Sequence, residues 1–170
     1  ALIAVLIIFL IPKSSIKISE NEKLVSGDDF NLAIPKDWIE NKVTPLMYQF
    51  SPPDSSKENP ESVTFTVTYL PANYPYSLEQ IFEAGINSSK AVMANFSVTE
   101  GPIAGKFGNT DGLSIRFLGS SNGYNLEFSQ VASLKFNNLY TMSHICLRGN
   151  CKYSDVYNSI KSSFMPVDKR

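Results

Sequence analysis

The sequence predicts an α+β fold in which a mostly antiparallel sheet packs against two helices. Short runs of alternating apolar and polar residues, separated by turn residues, occupy most of the chain and are typical of strands joined in a meander. Two segments instead carry apolar residues at helical spacing, one in the middle of the chain and one near its end. Each of these helices presents one apolar stripe, so each can cover a sheet face.

Three strands are predicted before the first helix. They run from Phe30 to Ile34, from Leu46 to Phe50 and from Ser62 to Leu70. Prolines follow the first two, and proline ends a strand because it cannot donate a hydrogen bond to a sheet ladder. The third strand is the clearest, because β-branched and aromatic residues nearly fill it and its threonines alternate with apolar side chains.

The first helix is predicted to begin after Ser77 and to run to about Ala94. Ser77 is a suitable N-cap, and Gln80 three residues later completes a capping box. Apolar residues then form one stripe at helical spacing: Leu78, Ile81, Phe82, Gly85, Val92, Met93 and Phe96. Because Lys90 is the only cation on this helix, we interpret the stripe as a core-packing face rather than a membrane-binding one.

A four-stranded meander is predicted to follow the first helix. Its strands cover residues 98–106, a segment from Leu113, a segment from Tyr124, and Leu139–Leu147. Gly- and Asn-rich turns separate them, the last being Asn137-Asn138. In the third strand Val131 and Leu134 do not keep the alternation, which predicts a β-bulge near Ser129-Gln130.

A closing helix is predicted from about Lys152 until Pro166 ends it. Its apolar face consists of Tyr153, Val156, Tyr157, Ile160 and Phe164. Since strands joined by short turns pair antiparallel, the order of elements gives a mostly antiparallel sheet layered with helices.

The N-terminal residues read as a membrane segment. Ala1 to Ile11 is uninterrupted apolar, a length that fits the about 7–15 residues of a signal-peptide core and falls short of the about 20 of a full membrane span. Because the chain begins with Ala rather than Met, we interpret the apolar run as truncated at its start. No small-residue cleavage site precedes Lys13, so residues 1–12 are expected to be a transmembrane anchor or signal-anchor, and the membrane is an expected partner. A cleaved signal peptide and a buried core segment are the alternatives. Residues 13–29 are polar and are expected to be a tether, 30–165 the domain and 166–170 a tail.

The charge balance argues against nucleic acid as a partner. Fifteen Lys and Arg against sixteen Asp and Glu give a net charge of −1. A nucleic-acid-binding surface needs an excess of cations to displace the counterions of the phosphates.

Two cysteines and one histidine are the residues of most chemical interest. Four residues separate Cys146 from Cys151 across a Gly-Asn turn, and in an oxidising compartment this pair could close a small disulfide loop. Free thiols are the alternative. A zinc site would need two further ligands beside the cysteines, and His144 is the only histidine. We therefore predict no metal site and no cofactor.

The sequence contains no recognisable catalytic set. His144 is the only imidazole, and it alternates with Tyr140, Met142 and Cys146 as expected on a packed sheet face. The glycine-rich loops that bind phosphates and dinucleotides are also missing from the sequence. We therefore predict no catalytic residue and a protein that is not an enzyme. The alternative is an enzyme or small-ligand-binding protein that uses a cleft near His144.

Several segments resemble the PsbP-like superfamily, which includes the Mog-type and DcrB-like proteins. Phe30–Trp38 is similar to the first strand of that family with its Pro-x-x-Trp ending, and the long helix that begins at Ser77 also fits. Strand Leu139–Leu147, followed by a helix that ends in Ser162-Ser163-Phe164, is similar to the family's C-terminal signature. The resemblance covers Phe30 to Phe164.

The resemblance implies an α/β/α sandwich in which Trp38 packs at the sheet edge. It also implies a non-catalytic accessory role outside the cytoplasm, assisting the assembly or stability of an envelope or membrane protein complex. A protein partner is therefore expected. Our candidate for the partner surface is the aromatic cluster Tyr69, Tyr74 and Tyr76 between the third strand and the first helix. The alternative is that these rings only pack this connection.

Overall fold

The computed structural model describes residues 16–168, which form ten strands and two helices. The strands before the first helix are β1 (Glu22–Ser26), β2 (Phe30–Pro35), β3 (Ile39–Thr44), β4 (Met47–Ser51) and β5 (Ser62–Tyr69). Helix α1 (Leu78–Val92) is followed by β6 (Ala94–Phe107), β7 (Thr110–Ser121), β8 (Tyr124–Lys135) and β9 (Asn138–Leu147). Helix α2 (Ser154–Ser163) and the short strand β10 (Met165–Pro166) complete the described chain.

Seven of the strands form one sheet in the order β3-β4-β5-β9-β8-β7-β6, and every neighbouring pair is antiparallel. A second sheet of three strands has the order β1-β2-β10. Helix α1 packs on one face of the large sheet, against β6, β7 and β8. Helix α2 and the small sheet cover the other face. The predicted α+β fold with a mostly antiparallel sheet is confirmed.

The larger core lies between the seven-stranded sheet and the layer formed by α2 and the small sheet. Its centre is aromatic: the ring of Phe164 lies 4.1 Å from Phe107, 5.0 Å from Tyr140 and 5.7 Å from Phe65, centroid to centroid. At the edge of this core Trp38 is buried and packs edge-to-face on Tyr153, with a centroid distance of 5.6 Å. Such pairs contribute about 0.5–1.5 kcal/mol beyond the area they bury.

Helix α1 confirms the predicted capping box. The amide of Gln80 donates to Ser77 Oγ at 3.3 Å, and the amide of Ser77 donates to Gln80 Oε1 at 2.9 Å. The helix buries Phe82 against a smaller core that includes Leu113, Ile115 and Phe117 of β7. The helix ends at Val92, two residues before the predicted end.

The predicted β-bulge near Ser129-Gln130 is wrong. Strand β8 pairs with β7 and β9 without a break in register. Val131 belongs to the larger core and Ala132 to the smaller one, so apolar side chains lie on both faces of the strand. A strand buried on both faces has no apolar–polar alternation. In the sequence this missing alternation looks the same as the shift that a β-bulge produces. The irregular pairings lie instead in the edge strands β3 and β6.

Strand β1 lies within the segment that was expected to be a tether. Its five residues pair with β2, and Val25 is buried in the larger core. The folded unit therefore includes residues back to Glu22, and Pro166 of the expected tail lies in β10. The anchor expected at residues 1–12 lies outside the described residues. Among residues 16–168 no helix is both long and apolar enough to cross a membrane.

Gly108, in the turn between β6 and β7, offers a test of the aromatic core. Its φ is +55°, and a Cβ there would collide with the backbone carbonyl of Phe164. We expect Gly108→Ala to lower the free energy of unfolding by about 2 kcal/mol or more, because it combines left-handed backbone strain with this collision. Urea-induced unfolding measures the change.

Gly105 on β6 provides the matched control, because a Cβ there would meet no atom within 4 Å. Gly105→Ala should leave stability nearly unchanged. Equal stability of the Gly108→Ala protein and the parent would contradict the packing of Phe164 against this turn.

Candidate functional site

One end of the large sheet carries the three tyrosines that the sequence singled out. We call it the tyrosine end and define it as residues 26–30, 44–47, 69–76, 135–138 and 167–168. The antiparallel register brings these connections together, since Tyr69 pairs with Asn138 and Asn138 with Lys135. Tyr69, Tyr74 and Tyr76 are 53%, 38% and 55% exposed.

Tyr69 is held at this end by a carboxylate. Its hydroxyl donates a hydrogen bond to Asp29 Oδ2 at 2.6 Å. This bond, burial and the nearby negative charge raise the pKa of Tyr69 to about 12, so the phenol stays protonated and keeps donating at neutral pH. The carbonyl of Asp29 accepts in turn from the Tyr140 hydroxyl at 3.1 Å and from the amide of Val167 at 2.8 Å. The turn between β1 and β2 is therefore tied to β9 and to the chain after β10.

Tyr74 and Tyr76 lie on the connection between β5 and α1. Their rings meet edge-to-face at 5.4 Å, and Tyr76 directly precedes the N-cap Ser77. Each ring therefore has an aromatic neighbour and still presents a large part of its surface to solvent. A tyrosine side chain has few rotatable bonds, and the helix cap fixes the connection that carries these two. They therefore lose little conformational entropy when a partner binds.

Three cavities open at the tyrosine end. Those of about 490 and 430 Å³ share Tyr69 and Asp29 in their walls, and one of about 310 Å³ lies beside Tyr74 and Tyr76. The first also includes Lys135 and the second Lys42. Their volumes lie within or near the about 300–1,000 Å³ of ordinary ligand pockets. The surface therefore combines aromatic projections with recesses, of which the two larger ones have both acidic and basic residues in their walls.

The turn between β8 and β9 forms one wall of two of these cavities. It consists of Phe136 and Asn137, with φ of +52° and +59°, one residue earlier than the predicted turn at Asn137-Asn138. Asn138 is instead the first residue of β9, buried, with its amide donating to the Tyr140 hydroxyl at 3.0 Å. A bulky residue such as Phe136 in the left-handed region costs about 1–2 kcal/mol. Residues held this way cluster at functional sites.

A buried polar cluster lies toward the other end of the sheet. Glu61 and His144 are each 1% exposed, and the imidazole Nε2 donates to Glu61 Oε1 at 2.8 Å. The same carboxylate accepts from the backbone amides of Lys152 and Tyr153 at 3.2 and 2.9 Å, just before α2. Helix α2 has no side-chain cap of its own, and Glu61 adds a buried negative charge at its N-terminus to that of Asp155 in the first turn.

Burial lowers the pKa of His144, and the bond to Glu61 only partly opposes this. The imidazole is therefore neutral at pH 7 and acts as a donor to the carboxylate. Its other neighbour is the ring of Tyr157, stacked at 5.2 Å. The cavities described at the tyrosine end do not include His144 in their walls. A smaller cavity between α2 and the sheet has Tyr157 and Ser129 in its wall, so it lies on the far side of the Tyr157 ring from His144 and does not include the imidazole itself. Glu61 carried no signal in the sequence, where it ends a polar loop.

Cys146 and Cys151 form a disulfide in the structure, with their Cα atoms 5.2 Å apart. The bond joins the end of β9 to the residues before α2. Glu61, His144 and Cys146 offer donor atoms within 4.8 Å of one another. A disulfide sulfur lacks the thiolate charge that metals bind, and Glu61 is already engaged by three hydrogen-bond donors, so the cluster acts here as a structural unit.

Comparison with solved structures gives the fold its class, which is PsbP-like. CyanoP from Synechocystis sp. PCC 6803 superposes with a TM-score of 0.63 at 10% identity, covering 86% of this chain and 93% of that one. LpqN from Mycobacterium tuberculosis, described as involved in cell envelope biogenesis, gives 0.60 at 14% identity over 86% and 91%. PA94 from Pseudomonas aeruginosa gives 0.55 at 9% identity over 87% and 99%.

No protein-family model and no curated protein matches the chain by sequence. Because the identities to the solved structures are this low, the likeness establishes the fold and nothing finer. The resemblance to the PsbP-like superfamily, drawn from the sequence, is confirmed at this level.

The buried imidazole predicts a specific dependence of stability on pH. The folded protein has a His144 pKa below the ordinary value of 6.5, so below pH 6.5 the unfolded chain binds a proton that the folded chain does not. We expect the free energy of unfolding to fall as the pH is lowered from 7.5 toward 5.5, by at most about 1.4 kcal/mol per pH unit. Urea unfolding at several pH values measures this.

His144→Gln is the matched variant, because it keeps an amide donor for Glu61 and removes the only histidine. Its stability should be lower but nearly constant over the same pH range. Stability of the parent that rises on acidification would show that the imidazole is charged in the folded state.

The disulfide gives a second prediction for this end of the sheet. A loop this short is expected to contribute about 2 kcal/mol through the entropy of the unfolded chain. Reduction with dithiothreitol should lower the unfolding free energy by this amount, and thiol labelling of the denatured protein should succeed only after reduction. The double variant Cys146→Ser/Cys151→Ser should be insensitive to the reductant. Full labelling before reduction would contradict the bond.

Proposed function

We propose that the chain is a non-catalytic binding module that assists the assembly or stability of an envelope or membrane protein complex. In this proposal residues 1–12 tether it to a membrane, and the domain lies on the extracytoplasmic side. The observation that carries the proposal is the tyrosine end, where three exposed tyrosines adjoin three cavities. The partner is a protein that contacts this end.

The chemistry of the tyrosine end supports a protein partner. Tyrosine is enriched in protein interfaces, because its ring gives a large contact area and its hydroxyl a hydrogen bond at low entropic cost. Asp29 fixes Tyr69, and the capped helix fixes the connection that carries Tyr74 and Tyr76. A surface ordered before binding loses less entropy on association. The recesses beside the rings are suited to receive side chains of the partner.

Two observations support the location. A disulfide persists in oxidising compartments such as the cell exterior and the periplasm, and is rare in the cytosol. LpqN, one of the proteins with this fold, is described as involved in cell envelope biogenesis. The apolar run at residues 1–11 supports the membrane tether.

The burial of the titratable cluster favours a binding module over an enzyme. The neutral ring of His144 is 1% exposed and sealed between Glu61 and Tyr157. A general base must come within hydrogen-bond reach of a substrate, and this imidazole does not. Of the two interpretations that the sequence left open, we therefore propose the accessory role and not an enzyme that uses His144 as its base.

Photo-cross-linking of the full chain in its native membrane tests the proposal. A photoreactive residue at Ala72, beside the tyrosines, should give a cross-link to a specific membrane-complex protein. The double variant Tyr74→Ser/Tyr76→Ser should reduce this cross-link roughly tenfold or more, because buried tyrosines are often interface hot spots worth about 2 kcal/mol. Val92→Ser is the control, since Val92 is 82% exposed at the far end of α1. It should cross-link like the parent.

Equal cross-linking by the double variant and the parent would contradict a role for the tyrosine end.

Location is tested separately on sealed membranes of known orientation. Protease added to the outer side should digest the domain, and protection of the domain there would contradict its extracytoplasmic placement.

A further inference from the structure

A small cavity between α2 and the large sheet stands apart from the tyrosine end. Its volume is about 200 Å³, and its walls come from β6, β7 and β8 on one side and α2 on the other. We call it the Arg116 cavity. Arg116, Lys161, Tyr157 and Ser129 contribute donor groups to its wall, and Glu100 contributes a carboxylate.

Two cations converge on the Arg116 cavity. Arg116 lies 3.4 Å from a carboxylate oxygen of Glu100, a single contact that leaves other guanidinium N–H groups for a ligand. Lys161, on the last turn of α2, forms no ion pair with any described residue, and its ammonium lies 5.8 Å from the centre of the Tyr157 ring. Burial and the repulsion of Arg116 lower the pKa of Lys161. Two cations face one carboxylate here, in a chain whose net charge is −1.

Tyr157 adds an available hydroxyl to the wall of the cavity. Its side chain is 5% exposed, and its ring is stacked on His144. Its hydroxyl has no hydrogen-bond partner among residues 16–168, although every fully enclosed side-chain N or O atom described there has one. The hydroxyl therefore reaches the Arg116 cavity. It is a donor on the wall of the cavity that no described protein group occupies and that a bound acceptor can use.

We propose that the Arg116 cavity binds a small oxyanion of the phosphate class. Arg116 and Lys161 would supply the opposing charge, and the hydroxyls of Tyr157 and Ser129 would donate to the phosphate oxygens. The volume is below the about 300 Å³ at which pockets for larger organic ligands begin, so the cavity suits the phosphate group itself. This group belongs either to free phosphate or to a phosphorylated headgroup that projects it inward.

Calorimetric titration of the full chain in detergent with inorganic phosphate tests the site. The parent should bind saturably. Tyr157→Phe keeps the ring on His144 and removes only the hydroxyl, and it should weaken binding roughly tenfold or more, the range of a hydrogen bond to a charged group. Arg116→Gln and Lys161→Met should bind too weakly to measure. Lys90→Gln on α1 removes a cation elsewhere and should bind like the parent.

Glu100→Gln changes affinity in the opposite direction. It removes the carboxylate that competes with the ligand for Arg116, so phosphate should bind several-fold more tightly. A variant that merely misfolded would not produce such a gain. Thermal unfolding provides a second readout, since phosphate should raise the melting temperature of the parent and of Lys90→Gln, and raise that of Glu100→Gln further.

Two further titrations identify the source of the phosphate. Glycerol 3-phosphate, and vesicles of phosphatidylcholine with and without phosphatidic acid, represent headgroups. If glycerol 3-phosphate or the vesicles with phosphatidic acid bind more tightly than inorganic phosphate, the ligand of the site is a headgroup. If inorganic phosphate binds more tightly, the ligand is the free anion. No saturable binding of any of them, or equal binding by the parent, Tyr157→Phe and Arg116→Gln, would overturn the proposal. This site and the tyrosine end share no residue, so each is tested independently.

Discussion

The buried carboxylate of Glu61 is the constraint on which much of the structure depends. It lies just before β5, accepts a hydrogen bond from the Nε2–H of His144 on β9, and accepts two more from the backbone amides just before α2. A charge in the interior is tolerated only when donors surround it, and here three donors do. The disulfide lies close by and joins β9 to Cys151, in the connection that leads into α2. The N-terminus of α2 is thereby fixed to the sheet at two points.

The position of α2 then determines what lies at the other end of the sheet. Its last turn leads to Phe164, whose ring fills the aromatic core and whose backbone packs against Gly108. The chain continues through β10 to Val167, which donates to the carbonyl of Asp29. Asp29 in turn orients Tyr69. A series of contacts therefore connects the buried carboxylate with Tyr69, and α2, which belongs to this series, also forms one wall of the Arg116 cavity.

Local signals in the sequence were sufficient for the fold class and for α1, because a capping box and a periodic strand depend on neighbouring residues. The errors came from long-range contacts. Strand β8 is buried on both faces, which no local pattern distinguishes from a bulge, and β1 is a strand only because β2 lies beside it. Phe136 is not a turn-forming residue type, yet it occupies a left-handed position in the turn between β8 and β9. Glu61 resembled any loop carboxylate, since its partners are more than eighty residues away.

The irregular pairing of β6 has a consequence for how copies of this protein behave when crowded together. β6 is an edge strand of 14 residues and almost fully exposed, which is the kind of template on which strands of other molecules assemble. Its register against β7 shifts at three places, and Pro102 lacks an amide hydrogen to offer a neighbour. The shifts and the proline therefore interrupt the regular edge between Ala94 and Ile103, where an incoming strand would have to pair. Bulges and prolines are features by which exposed sheet edges are kept from polymerising into fibres, and β6 carries both.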